Sequence, residues 1–244
     1  AGNTGALMAT ARFVLKTLPG IDRPGICGVL PRSDGQVRMM DLGASLACPA
    51  SLLFQFGVMA TIMVRYLDGI EAPSIGLLNV GVEDIKGGEI VKEASELFRA
   101  SGLNYQGFVE GDDIGKGTVD VIVTDGFTGN IALKTAEGTA KMFAHYLRNA
   151  LTSGILSKIG ALIARHAIDE FRNHFDPRRY NGAMLLGLNG ICVKSHGGTD
   201  HIGFAHAVEV GVNLVRRDFN RYIKEDLGHL ITPKVGSPAQ PAAK

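Results

Sequence analysis

The stretch "VDVIVTDGFTGNIALK", Val119–Lys134, decides the fold. It opens as a run of β-branched apolar residues, stops at Asp125, turns through small residues, and resumes with helical spacing near Asn130. An apolar strand that feeds straight into a helix is one half of a parallel βα unit, with the strand buried on both faces. Outward from it, short β-rich runs recur at Gly25 to Leu30, Val37 to Leu42, Ser74 to Val80, Asn104 to Val109 and Gly190 to Lys194. Helical patterns separate most of them. Leu7, Ala11, Val14, Leu15 and Leu18 keep one helical face. Leu52, Phe56, Met59, Met63 and Leu67 keep another after Pro49, which suits a first helical turn. Glu89 to Ser101, Asn130 to Ala150 and Thr199 to Asp226 read as further helices. The alternation predicts a doubly wound α/β fold, a largely parallel sheet with helices on both faces, in one domain over residues 1–232. The last residues, 233–244, read as a disordered tail. Ligands of such sheets sit at the carboxyl ends of the strands, where the glycine motifs fall.

Composition narrows the function classes. With 244 residues and 45% hydrophobic content the chain can bury a large core, and 25 basic against 24 acidic residues leave a formal charge of +1. No global field draws it to nucleic acid, so any acidic partner must meet a local patch. Cys27, Cys48 and Cys192 are odd in number and lack CxxC spacing, which argues against a disulfide framework and a zinc site and fits a reducing cytoplasm. No apolar run reaches the roughly 20 residues of a membrane span, and no signal peptide is legible. Walker A, GxGxxG and HExxH patterns are absent, so neither a metal nor a cofactor is expected.

Four motifs remain, each with an ordinary alternative. Gly2, Asn3, Thr4 and Gly5 precede a helix, whose free N–H groups and dipole suit phosphate, or whose start Asn3 or Thr4 simply caps. In "GLLNVGVEDIKGGE" Lys86 stands at a strand end, either neutralising a bound phosphate or solvated in a loop. In "TDGFTGN" Asp125 can orient a neighbour and Asn130 can donate to an oxyanion, or the turn can be a cap without chemistry. In "VKSHGG" Lys194 and His196 are candidates for substrate binding, with a hydrogen-bonded loop histidine as the alternative. Ser195 and His196 are no nucleophile and base pair by adjacency, because neighbours on a strand point to opposite faces. Leu151, Ile155, Ile159, Leu162 and Ile163, within a helical segment over 150–180, form an apolar stripe that suits a core or dimer interface, or a helix lying on a membrane.

The segments "AGNTGAL", "DLGA", "GLLNVGVEDIKG", "VEGDDI", "VIVTDGFTGNIALK" and "LLGLNGICVKSHG", in that order, resemble the bacterial acyl-ACP:phosphate acyltransferase family of phospholipid synthesis. The resemblance runs from Ala1 to about Leu227. It implies a fold similar to phosphotransacetylases and isopropylmalate dehydrogenases, and transfer of a fatty acyl group from acyl carrier protein to inorganic phosphate. It also implies a homodimer with peripheral contact at the cytoplasmic membrane. The lysine of "EDIKG" and the asparagine of "GFTGN" carry over as catalytic, which gives Lys86 and Asn130 beside Asp125. Two positions depart from the pattern: Ser45 stands where the family has asparagine after "DLGA", and Phe108 follows Gly107 where it has Gly-Asn. The family also has βα units ahead of "AGNTGAL", so an N-terminally truncated form is expected.

Phosphate is already nucleophilic near neutral pH, so the implied reaction is direct attack on the thioester without an acyl-enzyme. Gly2 to Gly5 and Lys86 would hold phosphate while Asn130 stabilises the oxyanion. Arg165, Arg172, Arg178, Arg179, Arg216 and Arg217 are candidate contacts for the acidic carrier. The alternatives are a short-chain acyl-CoA phosphotransacylase and an inactive scaffold that binds carrier or membrane.

Overall fold

A computed structural model describes residues 3–231, so Gly2 and the expected tail at 233–244 lie outside the described residues. The strands are β1 (Gly25–Arg32), β2 (Gly35–Met40), β3 (Ile75–Leu78), β4 (Tyr105–Val109), β5 (Val121–Val123), β6 (Ala183–Leu186) and β7 (Val193–Lys194). They form one sheet in the order β4-β3-β5-β2-β1-β6-β7. β4, β3, β5 and β2 pair in parallel, whereas β1 is antiparallel to β2 and to β6, and β7 is antiparallel to β6. The direction of β6 is therefore that of β2, and only β1 and β7 run against the rest. The sheet is largely parallel, as expected. Its antiparallel part begins with a tight hairpin, since Ser33 and Asp34 alone separate β1 from β2.

Side chains alternate across the pleat and fill two cores. Cys27, Met40, Ile75, Leu77, Val121 and Val123 face one side, packed under α2 (Ala50–Asp68), α3 (Glu89–Ala100) and α9 (Phe219–Ile231). Ile26, Val37, Met39, Ile122 and Leu185 face the other, where α1 (Thr4–Leu15) and α5 (Gly126–Thr152) supply Ala11, Ala132 and Leu133. Helices cover both faces because both faces of the central strands are apolar. The remaining helices are α4 (Asp113–Lys116), α6 (Ile155–Ile163), α7 (Arg165–His174) and α8 (His201–Arg216), with a 3₁₀ turn at Pro177–Tyr180.

By length and composition α2 meets the requirement of a membrane span, with 19 residues and mean hydropathy 1.4, against the expectation that no run comes close. It is 72% buried within the fold, lying between the sheet, α3 and α9, and so reads as a central core helix. Pro49 is its N-cap, one position before the first helical turn. Four other expectations shift. The strand Gly190–Lys194 shortens to Val193–Lys194, and its partner Ala183–Leu186 has no separate signal because a four-residue run is shorter than any periodic pattern. The helix Thr199–Asp226 is two helices, since Asp218 takes a left-handed φ of 51°. The helix at Asn130 begins four residues earlier, at Gly126. The stripe Leu151–Ile163 is broken at Ser153–Gly154, which puts Leu151 on α5 and the four isoleucines and leucines on α6.

Phe98 of α3 ties the first core together: it meets Phe54 edge-on at 5.3 Å, stacks on Tyr105 at 5.2 Å, and fills the space above Gly57. Removing a fully buried aromatic ring leaves a cavity that rigid neighbours cannot close. Phe98→Ala is expected to lower unfolding free energy by about 3–5 kcal/mol in urea titration. Phe13→Ala, at a ring 76% exposed, is expected to change it by less than about 0.5 kcal/mol.

Candidate active site at the carboxyl edge of the sheet

Four parallel strands end at one edge, and each delivers a loop there. After β2, Asp41 is fully buried and its carboxylate accepts N–H groups from Ile26 at 2.9 Å, Ala44 at 3.1 Å and Ser45 at 2.6 Å. Burial pushes this carboxyl above the ordinary carboxylate range, and the backbone donors pull it back. The result is a rigid loop over Asp41–Ser45. After β5, the first turn of α5 lands directly on that loop: Gly126 N–H donates to the Ser45 carbonyl at 2.8 Å. A Cβ on Gly126 would stand 2.7 Å from Asp41 Oδ2, and one on Gly129 would stand 2.0 Å from the Asp41 carbonyl oxygen. Only glycine permits this approach.

The same turn fixes the roles of its polar residues. Asp125 caps α5, accepting Thr128 N–H at 2.9 Å and the Thr128 hydroxyl at 2.7 Å. Both carboxylate oxygens thus serve the helix start. The exposed side chain of Asn130 makes no hydrogen bond among the described residues and lies against Gly43, whose Cβ position is 3.5 Å from Asn130 Oδ1. Gly126 and Thr128 have acceptors, whereas the Phe127 N–H has none among the described residues. Asn130 and this amide are the free donors at the positive end of a 27-residue helix.

After β3, Asn79 closes the next loop by donating to the Gly81 carbonyl at 3.1 Å and the Lys86 carbonyl at 3.2 Å. Gly87, at φ +86°, is pressed so close to Asn79 that a Cβ would meet its amide oxygen at 2.1 Å. Lys86 is exposed and without an ion pair among the described residues, while neighbouring Asp84 pairs with Arg99. Because β3 and β5 are adjacent, Lys86 and Asn130 leave neighbouring strands at the same edge. After β4, Asp113 accepts the Glu110 N–H at 2.8 Å and closes the fourth loop. Exposed Leu46, Val80, Val82, Ile85 and Phe127 give this edge an apolar rim.

The other sequence candidates make no hydrogen bond to these loops among the described residues. Asn3 caps α1, its Oδ1 accepting the Ala6 N–H at 3.0 Å, and no hydrogen bond among the described residues joins Asn3, Thr4 or Gly5 to Lys86 or Asn130. Lys194 does not end a parallel strand. It pairs with Ala183, next to Met184 opposite Cys27, and so sits level with Met39 in the body of the sheet. His196 follows it toward α5, where its Nε2 is 3.5 Å from Lys134 Nζ. Asp41 opens "DLGA" and Lys134 closes "VIVTDGFTGNIALK", but neither residue has a role assigned from sequence, and only four-residue spacing hints that Asn130 and Lys134 share a helix face. Ser45, one of the two departures, is buried with its hydroxyl unpartnered among the described residues, and Phe108 is a core residue. Among the described residues no metal-binding cluster is present.

A family model described as "Fatty acid synthesis protein" matches residues 1–222. The chain belongs to this family. It is 56% identical over 245 residues to a phosphate acyltransferase of Paramagnetospirillum magneticum, covering all of this chain and 70% of that one. It is 57% identical over 232 residues to a phosphate acyltransferase of Rhodospirillum centenum, covering 94% of this chain and 65% of that one. The chain therefore spans about two thirds of the length of these family members. A branched-chain phosphotransacylase from Enterococcus faecalis V583 shares the fold at a TM-score of 0.50 and 13% identity, over 79% of this chain and 64% of that one.

The loop geometry distinguishes side chains that hold the fold from those that do not. Asp125→Ala is expected to lower stability by about 0.5–2 kcal/mol, because it removes the cap of α5. Asn130→Ala is expected to leave thermal unfolding unchanged within about 0.5 kcal/mol, since its side-chain amide bonds nothing among the described residues. Gly129→Ala is expected to lose at least about 2 kcal/mol, a Cβ there having nowhere to go.

Proposed function

We propose that the chain transfers a fatty acyl group from acyl carrier protein to inorganic phosphate, releasing acyl phosphate for phospholipid synthesis. The observation that carries this reading is the pair of uncommitted polar side chains, Lys86 and Asn130, presented by adjacent strand ends beside the α5 N-terminus. Lys86 holds the phosphate dianion, with the start of α1 at Asn3, Thr4 and Gly5 proposed as a second wall. A phosphate oxygen attacks the thioester carbonyl, and Asn130 with the Phe127 N–H receives the oxyanion. Collapse breaks the C–S bond and expels the thiolate of the carrier arm. Membership of a family with phosphate acyltransferase relatives supports the phosphate acceptor. The apolar rim fits an acyl chain better than an acetyl group, which favours long-chain acyl-ACP over short-chain acyl-CoA as donor.

Thiol release from a long-chain acyl-ACP, followed with and without phosphate, tests the assignment. Lys86→Ala and Asn130→Ala are each expected to reduce kcat/KM by about 10²–10³-fold, and full rates at saturating phosphate would remove these roles. An acyl group trapped on Ser195 or Cys192 without phosphate would replace direct attack with a covalent route. A higher kcat/KM on short-chain acyl-CoA would replace the donor.

The acidic carrier is proposed to meet the arginines near the 3₁₀ turn. Arg178 is already held by Asp176 at 2.6 Å and Asp200 at 3.2 Å, whereas Arg179 has no such pair among the described residues. Arg179 is therefore the better test than Arg178, and Arg179→Glu is expected to raise the carrier KM without changing kcat.

On α6, Ile155 is 79%, Leu156 85%, Leu162 70% and Ile163 81% exposed, more apolar surface than a monomer normally leaves in one place. We propose this arm as a dimer contact and a peripheral anchor at the cytoplasmic membrane. Ile155→Ser with Ile159→Ser is expected to abolish co-sedimentation with anionic vesicles. Light scattering on the same variant separates the roles: a retained dimer assigns the arm to the membrane, a monomer to the interface.

A further inference from the structure

We propose that Lys134, Lys194 and His196 form a phosphoryl-binding cluster, one helical turn along α5 from Asn130, that takes either the phosphate of the acyl donor's pantetheine arm or inorganic phosphate. The inference rests on the acyl-transfer reading of the carboxyl edge and assigns a second anchoring point to its substrates. His196 Nδ1 accepts the Gly198 N–H at 3.1 Å, so the neutral ring carries its proton on Nε2. That nitrogen faces Lys134 Nζ at 3.5 Å. Two donors thus confront each other with no acceptor between them. Lys134 has one carboxylate, Glu137 Oε2 at 2.8 Å. Lys194 has neither a hydrogen bond nor an ion pair among the described residues.

Val193 packs against the first core on the side of α8, so Lys194 points to the opposite face of the sheet, toward α5. Burial, then the charge of Lys134, depress its pKa. Two ammonium groups and an imidazole N–H against one carboxylate lack an anion, and a phosphoryl group brings several acceptor oxygens to one point. The alternative of a Ser195–His196 nucleophilic pair does not fit. Ser195 Oγ accepts from Asn181 Nδ2 at 2.9 Å, while the His196 ring is turned to Gly198 and Lys134.

The cluster is held ready. Asn181 accepts the His196 N–H at 2.8 Å and donates to the Gly203 carbonyl at 2.6 Å, locking the loop to the start of α8. A shallow, open depression lies beside His196, lined also by Thr199, Asp200, His201 and Phe204, so this side of the cluster is reachable from solvent. The four residues from Asn130 to Lys134 rise about 6 Å along the helix, so a ligand can touch the cluster while its reactive end reaches the strand edge.

Isothermal titration of the chain with orthophosphate, pantetheine and 4′-phosphopantetheine tests this, alongside Lys134→Gln and Lys194→Gln. If the donor arm is the source, 4′-phosphopantetheine binds about tenfold tighter than pantetheine, and each variant erases the difference. If free phosphate is the source, pantetheine and 4′-phosphopantetheine bind alike and each variant weakens orthophosphate about tenfold. Unchanged affinities for all three compounds in folded variants overturn the proposal. The unmutated chain gives a second readout: the His196 ring resonance should move with a phosphoryl compound and not with pantetheine, and a resonance that stays fixed with all three overturns it too. These are binding measurements, so a failure of phosphate-dependent thiol release would count against the acyl-transfer reading alone.

Discussion

The contact on which the site depends is the seating of the first turn of α5 on the loop that follows β2. Gly129 lies against the Asp41 carbonyl at a distance that excludes any side chain, and Gly126 bonds Ser45 across the same seam. The seam needs a rigid floor, which the buried Asp41 provides by gathering backbone amides of its own loop and of β1. A helix start held this way loses little conformational freedom when a ligand arrives, so its free donors are already in place. The polar groups of the turn are used unequally: Asp125 satisfies the helix end, and the Asn130 side chain is left without a partner among the described residues.

Most of the architecture was legible because the central strands are buried on both faces. Val121–Val123 and Ile75–Leu78 are too apolar to be anything but interior, and the helices between them must return the chain to the same edge. The antiparallel half was harder to read. Ala183–Leu186 and Val193–Lys194 are so short that they owe their conformation to the neighbour they pair with, and pairing partners cannot be read from local periodicity. The break between α8 and α9 has the same origin, since Asp218 adopts a left-handed conformation that its residue type only tolerates and tertiary packing of Phe219 rewards.

At the site, the sequence marked the strand ends but not the division of labour on them. "TDGFTGN" reads equally as a cap or as catalytic machinery, because the same residue types do both jobs. The structure shows Asp125 occupied as the cap and Asn130 without a side-chain partner among the described residues. Asn3 is the converse case: its side chain oxygen is occupied by its own helix, as the ordinary reading allows. Lys134 has no signal of its own in the sequence, because a lone lysine on a helix normally marks only a solvated face. Its meaning comes from His196, which is 62 residues away and approaches it only when β7 is paired with β6.

The shape of α5 joins these features. Of its 27 residues only Gly126 and Gly129 are buried, so the helix is fixed at its start and then leaves the body of the protein. Such a length spans about 40 Å at 1.5 Å per residue. Met142, Phe143 and Tyr146 stand exposed along its far half and continue into the apolar surface of α6. A helix with so little core contact gains stability chiefly from what covers it, since isolated helices are marginal in water. The far half of α5 and the apolar surface of α6 are therefore joined to the strand edge through one continuous helix.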